Sequence, residues 1–128
     1  MGFDQYHEPP EELPAETRTF ARLCASLTEE AEAIGWYEQR MAVESDRQAH
    51  AIMGNAQAEE FKHFCMDLEF LLRRTPLWRE IAEGILLSEG DIVEHGEEAE
   101  EAALEGSGAD AAGTGTSLGI GKLRGAGS

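Results

Sequence analysis

The stretch Ala58-Glu59-Glu60-Phe61-Lys62-His63 lies in the middle of a long helical pattern. Glu60 falls on the apolar stripe of its own helix, among Met53, Phe64, Leu68 and Leu71. A charge that faces a core needs a partner or a metal, because an unpaired buried carboxylate is strongly disfavoured. Glu60 and His63 are three residues apart, which on a helix puts both side chains on one face, one turn apart. A carboxylate and an imidazole so placed can chelate a divalent transition metal. Glutamate is frequent in this chain, so Glu-x-x-His alone is a weak motif. Its position on an apolar stripe is what gives it weight.

A second long helix precedes this one. Pro14 suits a helix entry and Glu16 a first turn, so the helix is expected to begin near Ala15. Phe20, Leu23, Leu27, Ala31, Ile34 and Met41 recur at helical spacing along one stripe. Glu30 lies inside it, three after Leu27 and four before Ile34, and Tyr37 shares its face seven residues on. A lone Glu on an apolar stripe reads either as a boundary residue or as a ligand. Glu29, Glu32 and Trp36 form a further stripe on another side of the same helix. That stripe is either a solvated acidic face or an interface or cation path. The pattern breaks around residues 43–46, where Ser45 or Asp46 can cap the second helix, which is expected to run to about Arg74, before Thr75-Pro76.

The net charge of −16 excludes a polyphosphate partner and favours cations. With 128 residues the chain is long enough for one small domain. Cys24 and Cys65 lack metal-type spacing and read as free thiols in a reducing cytosol rather than as a disulfide. No signal peptide and no apolar run near membrane-spanning length is present, so a cytoplasmic, soluble protein without membrane or nucleic-acid partners is expected.

The remaining segments divide by composition. Residues 1–14 carry three prolines and read as an extended arm, with Tyr6-His7-Glu8 as a weak metal-touching alternative. His50 lies on the Glu60 face and reads as a core or interface histidine or as a third ligand. A short third helix is expected over about residues 77–88, ended by Gly90. Residues 91–105 are strongly acidic and read as helical or as solvated chain, with His95 incidental. The helical domain is thus placed at residues 15–105, and residues 106–115 read as a flexible linker. Residues 116–128 differ: Leu118, Ile120 and Leu123 are spaced between glycines beside Lys122 and Arg124. The charge is −17 over residues 1–105 and +1 over the rest. Three aliphatics form no core, so an apolar, basic tip on a linker reads as a docking peptide.

Four-helix proteins that bind two irons take one Glu from each of two helices and a Glu-x-x-His from each of the other two. This chain has half that set: Glu30, and Glu60 with His63. Two long helices also cannot bury two apolar stripes alone. A two-fold dimer meets both requirements. The expected fold is therefore all-α, an antiparallel two-helix hairpin plus a short third helix, forming a ferritin-like four-helix bundle only on dimerisation.

The runs EEAEAIGWYEQR (residues 29–40), AEEFKH (residues 58–63) and TSLGIGKLRG (residues 116–125) together resemble the encapsulated ferritins. The resemblance implies a half-ferritin subunit whose dimers assemble into an annular decamer of five dimers. It implies an interfacial di-iron site at Glu30, Glu60 and His63, with Tyr37 beside it and Glu29, Glu32 and Trp36 as an entrance that attracts metal. It also implies that Leu118, Ile120 and Leu123 belong to a targeting peptide that docks the protein inside an encapsulin nanocompartment. Phe61 and Phe64 depart from the more polar surroundings of the family's histidine. The expected activity is ferroxidase, oxidising Fe(II) with dioxygen for storage as mineral. Carboxylate-rich sites also take Mn(II), Zn(II) or Ca(II). A non-catalytic iron-binding carrier and an acidic helical interaction protein are the alternatives.

Overall fold

The computed structural model describes residues 5–110, with side chains to residue 106. The described residues are all helical apart from turns, with no strand among them. The order is a short 3-10 turn (Pro10–Glu12), α1 (Ala15–Val43), α2 (Arg47–Arg73), α3 (Pro76–Ile85) and α4 (Ile92–Asp110). They fall into two compact units, one reaching to Arg74 and one beginning at Thr75. The all-α expectation is borne out, and the hairpin is α1 against α2.

Local chemistry explains the hairpin. Pro14 precedes α1, where its missing N–H costs nothing. The N-terminal arm is not wholly extended: Arg18 Nη1 donates to Pro10 O at 3.3 Å, which ties the 3-10 turn to α1. At the other end Glu44 closes α1, its N–H donating to Met41 O. Asp46 then caps α2, Oδ1 accepting from Ala49 N–H at 2.9 Å. Asp46 N–H in turn donates to Glu44 Oε2 at 2.9 Å, so both helix ends are tied within the connection.

The long helices are antiparallel. Met41 lies against Gly54, and Gln57 Nε2 donates to Ile34 O at 3.2 Å and Glu38 Oε1 at 3.0 Å. Partners therefore descend α1 as they ascend α2. Ala25, Gln57, Leu71 and Leu72 are the buried residues of these two helices. Trp36, Ile52, Phe61 and Met66 are exposed, so one chain leaves much of its apolar surface in water.

The second unit is built on small residues. Thr75-Pro76 opens α3 with proline in the first turn. Asp91 caps α4, Oδ1 accepting from Glu94 N–H at 2.9 Å. His95, expected to be incidental, has a structural place: Nε2 lies 2.6 Å from Glu89 O and ties α4 to the turn before it. Gly90 in that turn has φ +93°, a conformation glycine adopts without strain. The acidic stretch after Asp91 is a helix that continues to Asp110, beyond the point where the linker was expected to start. Ala82, Ala99 and Ala103 are buried between α3 and α4.

Gly84 makes that close packing possible. A Cβ there would lie 2.5 Å from Ala99 Cβ and 3.4 Å from Ala99 Cα. Gly84→Ala gains about 1 kcal/mol of helix propensity but meets an overpacking cost of about 1–3 kcal/mol. The clash wins, and a net loss of about 1 kcal/mol is expected. Hydrogen exchange should then show weaker protection of the α3 and α4 amides; unchanged protection would mean the helices part freely.

No helix among the described residues is long and apolar enough to cross a membrane. The expected docking residues Leu118, Ile120 and Leu123, and residues 111–115 of the expected linker, lie outside the described residues.

Candidate metal centre

The antiparallel register brings Glu30 of α1 opposite Glu60 and His63 of α2. One ligand atom from each of the three lies within 4.8 Å of the others. Among the described residues this is the sole such cluster of three or more His, Cys, Asp or Glu side chains. The Glu-x-x-His spacing works as the helix pitch requires: His63 Nδ1 is 3.2 Å from Glu60 Oε1. All three residues are half-buried, so the site is partly open to solvent. His50 is exposed and stands outside the cluster, as does His7.

Asp67 also faces this site, and reading the sequence missed it. It stands four residues after His63 and seven after Glu60, on the same face of α2, so the helical period already pointed to it. Its carboxyl group meets that of Glu30. As two carboxylates they have no proton between them, and Glu30 Oε2 and Asp67 Oδ2 are buried oxygens without a hydrogen-bond partner. With one proton the pair makes a carboxyl–carboxylate hydrogen bond. Burial, then Asp67 and then Glu60 push the Glu30 carboxyl up to about 7, while His63 opposes the shift.

This shift has a definite sign. Between its ordinary value of 4.5 and about 7, folded Glu30 keeps a proton that the unfolded chain has released. Folding is therefore favoured at the acid end, and Glu30's contribution is lost as the pH rises through about 7. Melting temperatures of the metal-free protein should fall across this window relative to Glu30→Gln, which has no proton to lose. Parallel pH profiles for the two proteins would contradict the assignment. A divalent cation held by Glu30 would displace this proton, so its affinity should rise through the same window.

Glu29, Glu32 and Trp36 do not stand apart from the site. With Ser26 and Ala33 they line one open depression of about 490 Å³ whose wall also includes Glu30 and Glu60. Adjacent residues on a helix differ by about 100° in direction, yet a wide depression takes in both faces. Trp36 is half-exposed at its edge. Tyr37 is half-buried and lies under Arg40, whose guanidinium carbon is 5.3 Å from the ring centroid. Cys24 and Cys65 are both free; burial raises the Cys24 thiol pKa, keeping it protonated and unreactive.

Known proteins share this architecture. Residues 5–89 match the EncFtn-like family model. An encapsulated ferritin-like protein of Rhodospirillum rubrum is 42% identical over 124 residues, covering 93% of this chain and 87% of the relative. A ferritin-like protein of Thermotoga maritima is 41% identical over 95 residues, covering 74% of this chain and 83% of the relative. A crystal structure of a protein from Nitrosomonas europaea superposes with a TM-score of 0.67 at 36% identity, over 70% of this chain and 98% of that one. Match, identities and hairpin agree: the chain belongs to the EncFtn-like family of encapsulated ferritin-like proteins.

Proposed function

We propose that the protein is a ferroxidase that oxidises Fe(II) with dioxygen at a di-iron site formed between two subunits. The observation that carries this reading is the convergence of Glu30, Glu60 and His63 within 4.8 Å. Two carboxylates and one imidazole are half of a four-helix di-iron set, and a two-fold axis supplies the other half. The exposed apolar residues of α1 and α2 support such pairing, since a second copy can cover them. Five dimers in a ring form the annular decamer that the family resemblance implies.

Iron is the substrate. Carboxylates are hard, anionic ligands that hold iron in both oxidation states. Two Fe(II) ions give up one electron each, and dioxygen takes both together with two protons to reach the peroxide level. Glu30 releases its proton as a cation binds, so the site is poised to exchange a proton for a metal near neutral pH. Glu29, Glu32 and Trp36 line the approach, where their negative charge concentrates cations before transfer to Glu30 and Glu60. Tyr37, seven residues after Glu30 on α1, is the redox-capable ring that the family resemblance implies for this centre. The site also accepts Mn(II), Zn(II) or Ca(II) as competitors.

Small helical subunits enclose no storage cavity, so mineral storage is delegated to an encapsulin nanocompartment in the cytoplasm. The segment 116–128, with Leu118, Ile120 and Leu123, is the docking peptide, and the name of the Rhodospirillum rubrum relative supports that association.

Oxygen uptake on addition of Fe(II) tests the activity directly. A non-catalytic carrier binds iron without consuming oxygen, and an acidic interaction protein does neither. Assembly gives an independent check. If two chains share each iron pair, metal binding is linked to association, and Fe(II) should shift sedimentation towards dimers and rings. A monomer with full oxidase activity would sink the half-site reading.

A further inference from the structure

We propose that Asp67 is a further ligand of the metal centre, holding a divalent cation together with Glu30 between α1 and α2. The inference rests on the reading of Glu30, Glu60 and His63 as a metal site. Two observations carry it. As two carboxylates, Glu30 on α1 and Asp67 on α2 meet, and their buried oxygens Oε2 and Oδ2 have no hydrogen-bond partner. Asp67 also stands on the face of α2 that bears Glu60 and His63, one turn beyond the histidine.

Buried polar oxygens are nearly always satisfied, and each exception calls for a physical cause. A shared proton satisfies the metal-free pair, and a cation that replaces it between the two carboxylates satisfies both oxygens and cancels their repulsion. The donor count points the same way. Doubled across a two-fold axis, Glu30, Glu60 and His63 give four carboxylates and two imidazoles for two ions, and hard divalent ions with oxygen ligands favour about six positions each, which leaves room for a further carboxylate. A third carboxylate per chain raises the site's negative charge and its capacity to bridge two ions. Gln57 lies one turn before Glu60, but its amide is engaged by Ile34 O and Glu38 Oε1, so it is not an alternative donor.

Co(II) provides a probe independent of catalysis, because its visible bands report the ligand set. Titrations of the full chain should be compared for the parent protein, Glu60→Ala, Asp67→Asn and Asp67→Glu. The parent is expected to bind Co(II) and Glu60→Ala to lose that binding; if the two behave alike, the reading of the centre itself fails. Asp67→Asn is expected to weaken Co(II) by about tenfold or more and to change the position of its bands, with Asp67→Glu restoring part of the affinity. Unchanged affinity and bands in Asp67→Asn, with Glu60→Ala defective, would overturn the assignment of Asp67 alone. Crystals of the parent with Co(II) give the decisive distance without any variant. An Asp67 oxygen at about 2.0–2.2 Å from an anomalous peak supports the proposal; a peak held by Glu30, Glu60 and His63 with Asp67 turned away overturns it.

Discussion

Replacing Glu60 or His63 with alanine is expected to lower the initial rate of Fe(II) oxidation by more than about 100-fold, since even residues that merely support metal ligands contribute about 10–100-fold. The fold should survive. Both residues are only half-buried, and α2 is held by its Asp46 cap and by Leu71 and Leu72 near its far end. Glu60→Ala also removes one carboxylate from a site where Glu30 already suffers repulsion from Asp67 and Glu60. The metal-free variant should therefore melt no lower than the parent, since removing one of several like charges relieves their mutual repulsion. Loss of oxidation with unchanged helix content and an equal or higher melting temperature is the full expected signature. Two variants that oxidise Fe(II) at the parent rate would show that the cluster is not the oxidation site.

The second large effect concerns packaging. Deleting residues 116–128 should leave Fe(II) oxidation intact and abolish co-purification with a co-expressed encapsulin shell. The segment carries Leu118, Ile120 and Leu123 between glycines, with Lys122 and Arg124 beside them, whereas Glu30, Glu60 and His63 all belong to α1 and α2. Small apolar pockets that take the three aliphatics, with acids at their rim for the two cations, are the complementary surface. The same thirteen residues fused to an unrelated soluble protein should carry it inside. A truncated protein that is still packaged, or a fusion that is excluded, would remove the docking role and leave the oxidase reading untouched.

What could be read from the sequence follows how local each feature is. Helix ends were legible where their causes lie within a few residues: Pro14, Asp46 and Thr75-Pro76 act on the backbone beside them, whereas α3 stops at Ile85, before the expected end near residue 88 and its terminator Gly90. The pairing of Glu60 with His63 was legible for the same reason, since three residues of helical rise and rotation determine that distance whatever surrounds it. Glu30 was recognisable as a charge on an apolar stripe, but periodicity alone left it a boundary residue or a ligand.

The tertiary structure decided what stands opposite. The short connection at Glu44–Asp46 and the interlocking of Met41 with Gly54 and Glu38 with Gln57 set the register of α1 on α2. That register delivers Glu30 to Glu60 and His63, and places Asp67 against Glu30. It also joins Glu29, Glu32 and Trp36 to the same depression, although the helical wheel separated them. In the second unit the approach of Gly84 to Ala99 depends on how α4 returns along α3. The reason is common to these cases. A helix imposes its own geometry through bonds four residues apart, so the sequence by itself determined the elements and the Glu-x-x-His face. Contacts between helices depend on side-chain packing summed over many residues distant in the chain, and only the folded arrangement determines which carboxylates meet.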